Sequence, residues 1–253
     1  MGAVRYLTIL HELVRRLCET QAEAIGAAAD IAAKSIAAGR LVHLFGTGHG
    51  SIPALEAFPR TGSFVGWNPI VVDALGPHLR IGGSGSVHQF RMLQGAAGYG
   101  KAILDSFPVR EGDAFVLSSH SGVNRVVLEV AHTVKERGLP LIAITSVEHS
   151  QRAAVRHEGG RKLFEIADVV IDTGAPFGDA VIELPGLDQR VAAVSTSLAV
   201  AAVNALIAET AEKLVALGYT PMVLGHIDRH GQRIPDEMRR DYVAAFQKRL
   251  WGQ

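Results

Sequence analysis

Short apolar runs alternate with longer segments of helical periodicity along most of the chain. In residues 1–38, apolar positions such as Leu13 and Leu17 recur at three- and four-residue steps, which predicts one long helix or two shorter ones. Gly39 follows this segment and is typical of a residue that ends a helix. The apolar run 41–45 comes next and stops at a glycine, as expected of a buried parallel strand.

The same alternation continues through the middle of the chain. Strands are predicted at 64–72, 114–117, 141–144 and 169–171, and helices at about 52–60 and 124–137. Strands that alternate with helices at this spacing indicate a parallel sheet covered by helices on both faces. We therefore predict an α/β fold of three layers, with a flavodoxin-like sheet of about five parallel strands.

These elements are predicted to form one domain over residues 1–253. Its segments are an N-terminal helical segment at 1–38, an α/β core at 39–218, and a C-terminal loop and helix at 219–253, with the last helix at about 235–251. The glycine-rich stretch 76–100 has no clear period before about Gln89, so it is expected to be a surface excursion. The sequence leaves open whether that stretch is a mobile lid.

Composition and charge exclude several classes of protein. The chain has 25 Lys and Arg against 25 Asp and Glu, without an evident basic face, so no nucleic-acid partner is expected. The single cysteine, Cys18, excludes an internal disulfide and a cysteine-rich zinc site. Its position in a helical pattern predicts a small buried apolar residue.

The chain shows no signal for secretion or membrane insertion. Its first 18 residues contain charged side chains, including Arg15 and Arg16, and no apolar core of a signal peptide. The uncharged stretch 191–208 is mostly Ala and Val and contains Ser195, which predicts a buried helix rather than a membrane span. We expect a cytoplasmic protein with no membrane partner.

Two strand-to-helix turns carry the candidate chemistry, because ligands of parallel sheets bind beyond the carboxyl ends of the strands. The glycine turn, residues 46–51, allows close approach of the backbone, and the free N–H groups of the helix start favour an anion. The serine turn, residues 119–124, places two hydroxyls and an amide around another helix start. This pattern predicts a phosphate cradle that needs no lysine.

Each turn also has a structural interpretation. Glycines serve tight turns in general, and Ser and Asn before a helix are ordinary N-caps. Neither turn matches the P-loop pattern, and Ser51 replaces the last glycine of the dinucleotide-binding motif. Asp73 lies at a spacing that suits a ribose contact, so a dinucleotide site stays open as an alternative.

The two turns together resemble a known family. A strand followed by Gly-Thr-Gly-His and a helix, and a later strand followed by Ser-x-Ser-Gly-x-Asn, resemble the SIS (sugar isomerase) family of phosphosugar-binding domains. Stretches 144–150, 156–157, 167–172 and 178–180 are similar to a branch related to phosphoheptose isomerases. The resemblance covers about residues 5–225. It implies a five-stranded parallel sheet, a homodimer or dimer of dimers, and a bound sugar phosphate, and no cofactor is expected.

The resemblance also implies which residues contact the ligand. The expected phosphate contacts are Thr47, Gly48, Ser119, His120, Ser121 and Asn124, with His120 contributing its backbone N–H. The weaker candidates for the sugar are Ser51, Ser195 and Thr196. The Ser/Thr cluster at 195–197 is equally compatible with a plain N-cap of the following helix.

An aldose–ketose isomerase needs a group that moves a proton between adjacent sugar carbons. Glu56 is the first candidate, because its helical spacing allows it to face the site. His49 in the glycine turn and His157 in a loop before the last strand are further candidates, since histidine titrates near neutral pH. For all three, a surface or structural role is the alternative.

No metal site is expected. His226, Asp228 and His230 have a spacing that superficially resembles metal ligands, but they lie in a loop without a further ligand nearby. Cations that could reach a phosphate, with a solvated position as the alternative, are Arg60, Arg80, Arg91 and Lys101.

Three functions are compatible with these motifs. The first is a sugar-phosphate isomerase that acts by proton transfer. The second is a non-catalytic phosphosugar sensor, because a fold does not fix a function. The third is an etherase or deaminase that acts on a phosphorylated amino sugar.

Overall fold

Five short parallel strands form the central sheet of the computed structural model, which describes residues 1–76, 81–83 and 85–252. The strands are β1 (Val42–Gly46), β2 (Trp67–Pro69), β3 (Ala114–Ser118), β4 (Leu141–Thr145) and β5 (Val169–Asp172), and a separate antiparallel pair consists of β6 (Ala180–Ile182) and β7 (Val191–Ala193). The helices are α1 (Gly2–Ala37), α2 (Ile52–Ala57), α3 (Val87–Gln94), α4 (Tyr99–Asp105), α5 (Arg125–Glu136), α6 (Val147–Arg152), α7 (Leu163–Ile166), α8 (Ser195–Ala216) and α9 (Asp236–Trp251). The strand order, β2-β1-β3-β4-β5, is the flavodoxin-like order, which confirms the predicted fold class.

Side chains of the strands alternate between two hydrophobic cores. In β1, Val42 and Leu44 pack in a core with residues of α1 and α8, whereas Phe45 packs in the opposite core with residues of α5. In β3, Val116 joins the first core and Leu117 the second. Because successive side chains of a strand point to opposite faces, one apolar run supplies both cores, and helices cover the sheet on both sides.

The order of strands reverses between β1 and β3. Strand β2 pairs with one edge of β1 and β3 pairs with the other, and Gly46 at the end of β1 is in register with Ser118 at the end of β3. The crevice at such a reversal is where open parallel sheets bind ligands. The glycine turn and the serine turn leave the sheet side by side at this point.

A buried polar network lies under the amino-terminal part of the sheet. The Nε2 atom of His43 lies 3.0 Å from Oδ2 of Asp113, and the Asn68 side-chain amide lies 2.8 Å from Nδ1 of His43. The Asp113 carboxylate also accepts the backbone N–H groups of Leu41 and Arg110. Burial raises the pKa of Asp113, but these hydrogen bonds outweigh it and hold the pKa below its usual value.

One expectation about buried helical positions held only in part, and another was wrong. The stretch 191–208 is not one helix, because its first residues form β7 and α8 begins only at Ser195. The short, alanine-rich β6–β7 pair offers no contrast of apolar and polar positions that would reveal it in the sequence. Cys18 is exposed rather than buried, because Leu17 occupies the buried face of α1.

Other elements are shorter than expected. The predicted helix 52–60 ends at Ala57, just before the Phe58-Pro59 pair, as the restriction on residues that precede proline favours. The predicted strand 64–72 is reduced to β2, at an edge of the sheet where the missing N–H of Pro69 is tolerated.

The described part of the stretch 76–100 contains one helix and the start of another. Helix α3 begins at Val87, close to the point where the sequence becomes periodic, and α4 begins at Tyr99. Residues 77–80 and 84 lie outside the described part. Within the described ranges, no helix combines the length and apolarity that a membrane crossing requires.

Candidate functional site

The glycine turn and the serine turn border one cavity of 620 Å³ at the carboxyl edge of the sheet. This volume falls within the roughly 300–1,000 Å³ of small-molecule sites. The structure brings the predicted phosphate contacts together in its lining, which includes Thr47, Gly48, Ser119, His120, Ser121 and Asn124. The predicted sugar contacts Ser195 and Thr196 line the same cavity from the start of α8.

The glycine turn packs backbone against backbone on the end of β3. A Cβ atom on Gly46 would lie 2.1 Å from the carbonyl oxygen of Gly50, and a Cβ on Gly50 would lie 2.7 Å from the carbonyl oxygen of Ser118. Ser51 donates its hydroxyl to the carbonyl of Gly48 at 2.7 Å, which closes the turn. Ser51 is therefore committed to the turn and does not belong to the cavity lining.

The serine turn leads into α5 without a side-chain hydrogen bond that caps the helix. The Ser119 hydroxyl accepts the N–H of Gly122 at 3.1 Å, and Gly122 has φ of +60°, which glycine adopts without strain. Asn124 is the N-cap residue of α5, but its side chain makes no capping hydrogen bond. The plain N-cap interpretation therefore does not account for the Asn124 side chain.

A cation that was not among the sequence-based candidates lies beside the serine turn. Arg156 lines the cavity, and its guanidinium donates to Oδ1 of Asn124 at 3.3 Å. The backbone N–H of Arg156 also donates to the carbonyl of Val123 at 3.0 Å, which ties this loop to the serine turn. The motif stretch 156–157 contained the only signal for this arginine.

The cations singled out from the sequence lie elsewhere. Arg60 pairs with Glu56, and Lys101 pairs with Asp105. Arg80 lies outside the described residues. Arg91 lines a second cavity, of 720 Å³, together with Arg125 and Arg156. We call this cavity the arginine groove.

The wall of the cavity formed by the β6–β7 pair centres on Asp179. Its carboxylate accepts the N–H groups of Val194 and Ser195 at 3.0 and 2.7 Å and the hydroxyl of Ser195 at 2.7 Å. Burial raises the pKa of Asp179, but the hydrogen bonds from Ser195 and Val194 outweigh it and hold the pKa below its usual value. Ser195 therefore orients a charged carboxylate instead of acting as an N-cap, a position that Val194 takes.

Two histidine rings lie close together in the cavity lining, with their planes tilted by 55°. The ring centroids of His120 and His149 are 4.2 Å apart, and neither ring nitrogen of His120 has a hydrogen-bond partner within the described part of the chain. Burial, with the nearby His149 adding to it, lowers the pKa of His120 to about 4. Near neutral pH the His120 ring is therefore uncharged.

The structure brings one of the three candidate catalytic residues, His49, to the cavity. Glu56 forms an ion pair with Arg60 and lies 3.5 Å from the amide nitrogen of Asn204 on α8, outside the cavity lining. His157 stacks on His132 with ring centroids 4.9 Å apart and is also outside the lining.

Other residues singled out from the sequence have local partners. In the C-terminal loop, His226 contacts Arg239 and His230 accepts from Arg229. Across the described ranges, no group of three or more His, Cys, Asp or Glu side chains is placed to hold a metal ion.

Proteins similar to this chain in sequence include two UPF0309 proteins. A UPF0309 protein of Brucella anthropi is 37% identical over 229 residues, which cover 90% of this chain and 89% of the relative. A UPF0309 protein of Oceanobacillus iheyensis is 38% identical over 191 residues, 76% of each chain. Neither name states an activity.

Solved structures with the same fold are much more distant in sequence. Phosphoheptose isomerase of Neisseria gonorrhoeae superposes with a TM-score of 0.56 at 17% identity, over 83% of this chain and 97% of that one. A phosphoheptose isomerase of Francisella tularensis gives a TM-score of 0.54 at 12% identity, over 83% and 96%. At these identities the likeness concerns the fold alone.

The model of the SIS domain family matches residues 5–146, a range that contains β1 to β4 and both turns of the cavity. That range exceeds half of the chain, and four of the five strands of the sheet and both strand-to-helix turns expected from the sequence lie within it. This chain belongs to the SIS domain family.

Proposed function

We propose that the cavity binds a sugar phosphate, with the phosphate held by the serine turn. One observation carries this proposal: the glycine turn, the serine turn, the start of α5 and the guanidinium of Arg156 converge on one cavity. A dianionic oxyanion is the ligand that this set of donors fits best.

The electrostatics of the serine turn favour a phosphate over a neutral ligand. The first N–H groups of a helix lack acceptors within the helix, and the helix dipole adds a partial positive charge at its start. The hydroxyls of Ser119 and Ser121 supply further short donors. Arg156 supplies a full positive charge, and a guanidinium binds phosphate oxygens through charge-assisted hydrogen bonds.

The opposite wall of the cavity favours a polyol. Asp179 accepts hydrogen bonds and His149 is a polar ring. The Ser195 hydroxyl, which donates to Asp179, can still accept, and the Thr196 hydroxyl can donate and accept. A sugar carries hydroxyls that need donors and acceptors in close alternation. We therefore assign the phosphate to the serine turn and the sugar to the wall formed by Asp179, His149 and the start of α8.

For the reaction, we propose aldose–ketose isomerisation by proton transfer. The fold shared with the two phosphoheptose isomerases and the position of His49 in the cavity support this choice. Glu56 and His157 do not line the cavity of a single chain, so His49 is a better candidate for the catalytic residue than either of them. We also propose that the protein works in the cytoplasm as a homodimer or a dimer of dimers.

A thermal-shift screen tests the binding site. Aldose and ketose phosphates of five to seven carbons should raise the melting midpoint, because a ligand of the native state stabilises it by about 2.7 kcal/mol at 100 times its Kd. The unphosphorylated sugars should not. Ser121→Ala and Asn124→Ala should each weaken binding by about tenfold, the size of one charge-assisted hydrogen bond. Ser106→Ala, which changes an exposed serine after α4, is the matched control and should leave binding unchanged.

The same screen separates the proposed function from its alternatives. Stabilisation by NAD and by no sugar phosphate would favour a dinucleotide site, and unchanged binding in both cavity variants would remove the serine turn from the site. Incubation with a stabilising sugar phosphate then addresses the reaction. A product of unchanged mass and altered carbonyl position indicates an isomerase, a changed mass indicates an etherase or deaminase, and no product indicates a sensor.

A further inference from the structure

We propose that His149 contacts the bound ligand and donates a hydrogen bond from Nε2 to an oxygen at the sugar end. This inference rests on the proposed function, and it assigns a role to a residue that was not among the predicted contacts. It also divides the cavity into a phosphate end at the serine turn and a sugar end read by His149 and Asp179.

The orientation of the His149 ring fixes its tautomer. The N–H of Gly178 donates to Nδ1 of His149 at 3.2 Å, so the lone pair of Nδ1 is occupied. A neutral imidazole carries one proton, and a nitrogen that accepts a hydrogen bond leaves that proton on the other nitrogen. Nε2 of His149 is therefore the donor, and it has no hydrogen-bond partner among the described residues.

The neighbouring rings hold His149 in this position. His120 lies on one side with ring centroids 4.2 Å apart and the ring planes tilted by 55°, and Phe177 lies on another with centroids 5.0 Å apart. The guanidinium of Arg152 lies 3.8 Å from the centre of the Phe177 ring, which fixes that ring in turn. A donor held by packing on several sides loses little side-chain freedom when it binds a ligand.

The surroundings keep His149 in its neutral form. Burial lowers the pKa of His149, the nearby Asp179 and Glu148 oppose this, and Arg152 adds to it. The net direction is downward, and His120, whose pKa is lowered to about 4, adds no positive charge at neutral pH. A neutral ring with its proton on Nε2 donates a hydrogen bond and cannot act as a base through that atom.

His149 and Asp179 form a complementary pair in the same lining. His149 offers one N–H, whereas the Asp179 carboxylate offers acceptor capacity beyond the three hydrogen bonds that it already accepts. A carbon chain with a carbonyl or ring oxygen next to a hydroxyl presents the matching acceptor and donor. Inorganic phosphate bound at the serine turn would leave both groups unused.

Selective loss of sugar recognition tests this inference. The probes are inorganic phosphate and the tightest binder among ribose 5-phosphate, fructose 6-phosphate, glucose 6-phosphate and sedoheptulose 7-phosphate. His149→Ala should weaken binding of that sugar phosphate by about tenfold and change the affinity for inorganic phosphate by less than twofold. His149→Gln, which keeps an N–H donor, should recover most of the loss. His11→Ala, an exposed histidine on α1, is the matched control.

The outcomes separate this inference from the proposed function. Equal loss for both probes would indicate a structural role for His149, and no loss for either would show that it does not contact the ligand; both results overturn the inference. If inorganic phosphate binds and no sugar phosphate binds more tightly, the proposed function fails with it. In the ligand-free protein, ¹⁵N spectra of the His149 ring at pH 7 should show the proton on Nε2, and a proton on Nδ1 would overturn the inference without any ligand.

Discussion

Replacement of Asp113 by alanine is expected to lower the free energy of unfolding by about 3–5 kcal/mol. The carboxylate of Asp113 is buried and accepts from the ring of His43 and from two backbone N–H groups. Its removal leaves these three donors without acceptors at the boundary of β1 and β3. Breaking a buried network in this way costs more than the hydrogen bonds contribute when they are intact, because the orphaned groups have lost their hydration.

Urea unfolding at pH 7 measures this effect. In thermal unfolding of a chain of this length, the same loss of stability lowers the melting midpoint by on the order of 10 °C. Asp113→Asn, which keeps one acceptor oxygen, should cost less than alanine. Asp105→Ala is the matched control: its carboxylate is exposed and pairs with Lys101, so the change should stay within about 1 kcal/mol. A similar small change in Asp113→Ala would contradict the importance of the network.

Stability is expected to fall as the pH is lowered from 6.5 towards 4, by on the order of 2–3 kcal/mol from His120. The pKa of His120 is lowered to about 4 in the folded protein, whereas the unfolded chain has the ordinary value of 6.5. Within this window the unfolded state binds a proton that the folded state does not, which favours unfolding. The contribution is fully present above pH 6.5 and lost below about 4.

Other titratable groups also change the stability, either in the same direction as His120 or over a different pH range. The pKa values of His132 and His149 are also lowered, by burial first, so they add to the loss below pH 6.5. The groups that face His120 are His149 and Asp179, and the pKa of Asp179 is itself lowered. Asp179 and Asp113 therefore lose their stabilising contribution only as the pH falls below the usual range for aspartate.

Urea unfolding of wild type and His120→Asn at pH 7.0, 5.5 and 4.5 tests the assignment. The variant should lose much less stability than wild type between pH 7.0 and 4.5, whatever its stability at pH 7.0. His11→Ala, an exposed histidine outside the cavity, should keep the wild-type dependence. Equal pH dependence in His120→Asn and wild type would show that another group controls it.

The sheet and both turns could be predicted from the sequence because their signals are local. A run such as 114–117 has no polar residue and is followed by Ser118 and the serine turn, so both the strand and the position of its polar end follow from the chain itself. Ser121 and Asn124 then had to lie at the carboxyl edge of the sheet. No long-range contact was needed for that inference.

The far wall of the cavity could not be predicted in the same way. Asp179 and Ser195 are 16 residues apart and meet only because β6 and β7 form a short antiparallel pair. The network around His43 has the same origin, since its partners lie 25 and 70 residues away along the chain. Such contacts leave no periodic signal.

The direction of a helix face was a separate difficulty. Glu56 lies on α2 and forms an ion pair with Arg60, which follows the end of that helix. Glu56 lies beside Asn204 of α8 and outside the lining of the cavity. Helical periodicity indicates which residues share a face of a helix, but it does not indicate which part of the protein that face packs against.

A crystal structure with a bound sugar phosphate would locate the ligand within the cavity. We expect the phosphate to lie at the serine turn, within hydrogen-bond distance of Ser121 and of backbone N–H groups at the start of α5, with Arg156 beside it. The carbon chain should then extend towards Asp179. A phosphate held instead in the arginine groove by Arg91 and Arg125, with the serine turn unoccupied, would refute the proposed binding site.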